Sequence, residues 1–182
     1  MHKFTPIYFA LPLLAASCAN MHVAQNPDEF RNDATQSTTP RLKHVSYEVN
    51  RSFSTISKTL QEKSNECLNY SFDRTFSYRM GMTTGANTSH ITYIPTFKTA
   101  GDTTELHVQM DISGNATVLG NTPKGGMYVM IADLIKKSKN STQVELYYGS
   151  YKAAILPTTI KNWIDGKSDG CPDLKEDMAS GV

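Results

Sequence analysis

Met127-Tyr128-Val129-Met130-Ile131-Ala132-Asp133-Leu134-Ile135, then a polar run from Lys137 to Asn140, then Thr142-Gln143-Val144-Glu145-Leu146-Tyr147-Tyr148: the reading of this stretch decides the fold. Met127, Met130, Ile131, Leu134 and Ile135 fit a helical period, and they also fit a strand buried on both faces. Two features favour the strand. The run is short for a helix, and the segment after the polar turn alternates Val144, Leu146 and Tyr148 with Gln143, Glu145 and Tyr147, so the pair reads as a β-hairpin.

Working outward, Leu106, Val108, Met110 and Ile112 alternate with Glu105, His107, Gln109 and Asp111, the clearest strand in the chain. His90 to Lys98 reads as another, with Pro95 confining it to an edge or bulge. Asn69 to Arg79 is rich in Tyr, Phe, Ser and Thr, which favours strand. Gly81 to Asn87 reads as loop, and so does Ser113 to Gly126 around a short apolar patch at Thr117–Leu119. Val45, Tyr47 and Val49 alternate with Ser46 and Glu48. A helix follows over about Ser52 to Leu68, with Phe53, Ile56, Leu60, Cys67 and Leu68 at helical spacing. Ile155, Ile160, Trp163 and Ile164 predict a closing helix, with Pro157 in its first turn and Gly166 just past its end. The expected fold class is α+β: an antiparallel sheet of about five to six strands with two helices on one face. A strand running straight into Asn50-Arg51-Ser52-Phe53 and an amphipathic helix, with an aromatic closing helix, resembles helix-grip folds over roughly residues 43–166.

The N-terminus carries a different message. Lys3 precedes an apolar run from Ile7 to Leu14, which is too short for a membrane span of roughly 20 residues. The run ends in Leu14-Ala15-Ala16-Ser17 against Cys18, an export signal with small residues at its cleavage point. This resembles the lipobox of bacterial lipoproteins, and the resemblance implies that residues 1–17 are removed and Cys18 is acylated. Ala15 and Ser17 also fit ordinary secretory cleavage, which would leave Cys18 a thiol. Ala19 and Asn20 follow the cysteine; in the family, the absence of Asp there implies the outer membrane, facing the periplasm. The lipobox, polar tether and closing Trp163, Gly166, Cys171 and Pro172 also resemble uncharacterised small lipoproteins of Gram-negative bacteria.

Residues 18–42 are poor in apolar groups (Gln25-Asn26-Pro27-Asp28-Glu29, Gln36-Ser37-Thr38-Thr39-Pro40) and read as a flexible tether with a reach of roughly 25–30 Å. Residues 43–172 read as one globular domain, and 173–182 as a disordered tail. Cys67 and Cys171 form an even set once Cys18 is acylated. They are expected to pair in an oxidising compartment, since neighbouring helices would bring them together.

Without residues 1–17, Lys+Arg falls to 17 against 17 Asp+Glu. No basic field invites nucleic acid. HExxH, GxSxG, Walker, GxGxxG and Cys-x-x-Cys patterns are absent from the sequence, so no catalytic, metal or cofactor residues are assigned. His90 and His107 lie on different predicted strands and could meet, a thin basis for a metal. Asp133, alone in an apolar run, is expected to be paired or wet. Tyr147, Tyr148 and Tyr151 could rim a binding surface. Three functions are consistent with these residues. The first is a non-catalytic accessory module, membrane-anchored, engaging an envelope protein or peptidoglycan. The second is a carrier of a small hydrophobic ligand, lined by Met110, Met127 and Met130. The third is a hydrolase assembling Asp111, Asp133, His90 or His107 in space.

Overall fold

The computed structural model describes residues 23–36, 42–80, 83–114, 121–149, 155–167 and 170–175. Along the chain these form α1 (Pro27–Thr35), β1 (Leu42–Val49), α2 (Phe53–Cys67), β2 (Tyr70–Met80), β3 (Thr83–Ala100), β4 (Thr103–Gly114), β5 (Met127–Lys136), β6 (Thr142–Gly149) and α3 (Ile155–Asp165). Every pairing is antiparallel, in one six-stranded sheet of order β1-β6-β5-β4-β3-β2. The chain is therefore α+β. Strands β2 to β6 form a meander, and β1 joins at the far edge beside β6.

The apolar run at 127–135 is a strand, and its lack of alternation has a physical cause. Met130, Ala132 and Leu134 face one core, shared with Ile56 and Leu60 of α2 and Leu156, Ile160, Trp163 and Ile164 of α3. Ile131 faces the other way, against Ala24 and Phe30. A strand covered on both faces loses the apolar–polar alternation, Asp133 being the one acid left in the run. The i, i+3, i+4 spacing of Ile160, Trp163 and Ile164, like the i, i+4 spacing of Ile56 and Leu60, sets each helix's apolar stripe on the sheet.

The end of α3 is held from outside the helix. Arg51, between β1 and α2, donates from Nη1 to the Trp163 carbonyl at 3.1 Å and to the Ile164 carbonyl. Its cation thus meets the negative end of the helix, and Gly166 turns the chain away at φ +82°.

Four sequence expectations are corrected. The tether is not a tether over its middle: Pro27–Thr35 is α1, the third helix, with Phe30 and Ala34 buried on the opposite face of the sheet from α2 and α3. Asn26 caps it by accepting from Glu29 N at 2.9 Å, Pro27 stands in its first turn, and Asp28 and Glu29 complement its dipole. The tail is not wholly free either, since Leu174 is buried in the main core. The loop expected at 81–87 is strand from Thr83 onward, because Thr83–Thr88 pairs residue by residue with Thr75–Met80. Ser113 and Gly114 complete β4 rather than opening the loop. Pro95 lies past the last β2–β3 pair, Tyr70↔Tyr93, so this part of β3 has no β2 neighbour and tolerates the missing N–H. Cys18, the Thr117–Leu119 patch and Tyr151 lie outside the described residues.

A bulge between Val108 and Gln109 shifts the β4–β5 register. Buried Gln109 donates from Nε2 to the Lys124 carbonyl at 3.0 Å and to the Gly126 carbonyl at 2.9 Å, which ties the loop down. Gly126 has φ +92°, and a β-carbon there would overlap the Met110 backbone. Gly126→Ala is therefore expected to cost about 2 kcal/mol, from left-handed strain plus displaced backbone. A urea midpoint equal to that of the parent protein would refute this.

Candidate functional site

The face of the sheet beneath α1 gathers a connected network of ionisable side chains. Alternation along β4, β5 and β6 sets Glu105, His107, Asp133 and Glu145 on this face, while their neighbours Leu106, Ala132, Leu134 and Leu146 enter the core. Arg31 descends from α1 into the centre. Its guanidinium grips Asp133 through two bonds, Nε–Oδ2 and Nη2–Oδ1, both 2.8 Å. Nη2 also meets Glu105 at 3.1 Å, and Nη1 meets Asp28 at 2.9 Å. Glu105 in turn meets His107 Nε2 at 2.9 Å, and the His107 ring stands edge-on to Tyr128. A paired fork of this kind fixes orientation as well as charge.

Burial shifts these groups in predictable senses. The Arg31 guanidinium is held charged by its bonds to Asp133, which outweigh its loss of water. Burial alone would raise the Glu105 carboxyl, but the bonds from Arg31 and His107 hold it below the ordinary carboxylate value. His107 is pushed below the ordinary imidazole value by burial, only partly offset by Glu105.

A second set lies one strand away. His44 Nε2 meets Glu145 Oε2 at 2.7 Å, Ser46 donates to Oε1 at 2.8 Å, and Gln143 Nε2 donates to the same oxygen at 3.0 Å. These bonds overcome burial and lower the Glu145 carboxyl. The His44 ring stacks on Tyr147 with centroids 4.6 Å apart. Glu145 stands between Ser46 and His44, so the imidazole does not take up the serine hydroxyl as in a serine–histidine nucleophile pair.

The pH consequence has a definite sign. A histidine whose folded value is depressed binds its proton more readily when unfolded, so its contribution is present above the unfolded value of about 6.5 and is lost on acidification below it. Glu105 and Glu145, also depressed, lose theirs as pH falls below about 4.5. Stability is therefore expected to fall in two stages on the acid side. His107→Gln should remove the first stage in urea titrations between pH 7 and pH 5; an unchanged profile would refute the assignment.

The sequence candidates fall apart spatially. His90 sits opposite Ser113 and His107 opposite Thr96, six residues away along β3 and hence about 20 Å. His90 instead meets Asp73 at 2.8 Å in a wet surface pair worth little to stability. Asp111 lies opposite Thr92, diagonal to His90 but six residues along β4 from Glu105, the partner of Asp133, and hence about 20 Å from that acid. Asp133, expected to be paired or wet, is paired with Arg31. Cys67 and Cys171 have their sulfurs 1.99 Å apart, a disulfide distance. Glu66 lies beside them, but sulfurs bound to each other offer no thiolate to a soft metal. Arg31, the hub, was hidden by its polar neighbourhood. The signal for it was local: a capping Asn26, Pro27 and two acids, with Phe30 and Ala34 one turn apart. Among the described residues, no helix is long and apolar enough to cross a membrane.

No protein-family model and no curated protein matches the chain. Among solved structures it is similar to a hypothetical protein from Helicobacter pylori at 10% identity and a TM-score of 0.37, over 91% of this chain and 96% of the other.

Proposed function

We propose that this chain is a lipoprotein anchored in the outer membrane through Cys18, whose domain serves as a non-catalytic accessory module engaging another envelope protein or peptidoglycan. The observation that carries this reading is the self-pairing of the ionisable groups under α1. Arg31, Asp133, Glu105 and His107 satisfy one another rather than converging on an open cleft, so the network holds a helix rather than serving a substrate. The hydrolase alternative asked for His90, His107, Asp111 and Asp133 in one place, and their register argues against it. The carrier alternative asked for space between sheet and helices. Ile56, Leu60, Met130, Leu134 and Trp163 pack there with almost no exposure. The seating of α2 and α3 in one core favours a helix-grip-like arrangement for this face, with α1 as an addition on the other.

The test combines metabolic labelling by an alkyne-bearing palmitate with crosslinking in intact cells. Label on the parent protein but not on Cys18→Ala, together with crosslinked species heavier than the monomer, is expected. Recovery of the monomer alone, after crosslinking from several surface positions, would overturn the accessory-module reading.

A further inference from the structure

The clasp on α1 changes what the anchor can do. Were residues 18–42 a free tether, the domain would wander roughly 25–30 Å from its lipid on average, with a contour of about 80 Å. Ala24 is instead buried, Gln25 donates from Nε2 to the Asn121 carbonyl at 2.7 Å, and Arg31 is locked to Asp133 and Glu105. Six residue steps separate Cys18 from Ala24, and they span at most about 20 Å however extended.

The point of attachment also has a definite place. Asn121 belongs to the β4–β5 connection, at the end of the sheet where β4 finishes and β5 begins. The β2–β3 ribbon projects at the same end. Its pairs Thr75↔Thr88 to Met80↔Thr83 run past the last β3–β4 pair, Ser89↔Gly114, by six residues, or about 20 Å. The β5–β6 turn is at the opposite end, about 30 Å away along β5.

Resting on the lipid-anchor reading, we propose that the clasped α1 holds residues 121–126 and the paired part of the β2–β3 ribbon against the bilayer that carries the anchor, leaving the β5–β6 turn outermost. The bilayer is the occupant because the leash ends at this corner and, at its fullest extension, reaches no farther than the ribbon projects.

The test places a photo-crosslinking amino acid at Ser77, Lys124 or Lys139 of the acylated full chain, in vesicles of phosphatidylethanolamine and phosphatidylglycerol. Covalent phospholipid adducts are read by intact mass. Adducts from positions 77 and 124 are expected to exceed those from 139 at least tenfold. Inserting twenty Gly and Ser residues after Ala19, which leaves the fold untouched, should reduce the bias to about twofold, and Arg31→Met should do likewise. Equal adducts from all three positions of acylated parent protein would overturn the orientation and leave the lipoprotein reading standing. A mass showing no acyl chains would overturn both, and it is read before illumination.

Discussion

Cys67→Ala, Cys171→Ala and the double substitution are expected to destabilise the domain equally, by about 3 kcal/mol each. The residues are 104 apart in sequence, with Cα atoms 5.0 Å apart. A cross-link over so long a loop removes up to about 4–5 kcal/mol of denatured-state freedom in the chain-entropy model, and usually less in practice. For a domain of this size that corresponds to a melting temperature lower by about 6–12 °C. The loss has a structural partner. The linkage draws residues 170–175 onto the end of α2, and Leu174 enters the main core through that segment. Equality of singles and double is the diagnostic result, because either substitution removes the whole bridge. Calorimetry with and without reductant checks it. An unaltered melting temperature on reduction would show that the two sulfurs are not bonded in solution.

Arg31→Met is expected to cost about 3 kcal/mol, and to loosen α1 before the rest of the domain. Asp133 and Glu105 would keep their charges beneath a helix that no longer neutralises them. Removing one partner of a buried pair costs about 3–5 kcal/mol, and the water that still reaches Glu105 brings the figure to the lower end. Asp133→Asn alone should cost less, because the neutral amide leaves no orphaned anion. Arg31→Met combined with Asp133→Leu and Glu105→Gln should recover much of the stability, since a neutral, better-filled interface needs no counter-charge. Amide exchange localises the effect: protection should fall at Phe30–Thr35 while that of β4 and β5 persists. Uniform loss of protection across the sheet, or none at α1, would contradict this account.

The sheet and the helices of its main core were legible because burial on one face leaves a period. Leu106, Val108, Met110 and Ile112 alternate as a half-buried strand must, and Ile160, Trp163 and Ile164 recur as a helix stripe must. The 127–135 run was legible only through its neighbours, since burial on both faces erases the period. Two signals misled. Gly85, Ala86 and Asn87 read as loop, yet an antiparallel partner supplies every pairing such a segment cannot announce. The polar composition of residues 19–42 concealed α1, because a nine-residue helix needs only Phe30 and Ala34 to bury a seam when an ion pair does the rest. Asp133, alone in its apolar run, read as paired or wet. Arg31 lies 102 residues earlier, and nothing in the sequence around Asp133 points to it. The alternation of Tyr47 and Val49 placed β1 in the sheet but could not say which neighbour it would take.

That neighbour is β6, and the pairing Leu42↔Gly149 sets an order of events during folding. Strands β2, β3, β4 and β5 each pair with the next in sequence, so hairpins can close as the chain emerges. β1 has no such option: its backbone donors wait until residues 142–149 exist. Loop-closure entropy must be met across almost the whole domain before this contact returns any stability. The first strand is therefore the last to be seated. Any event that delays the C-terminal third leaves Leu42–Val49 as an unsatisfied edge, open to pairing with another chain.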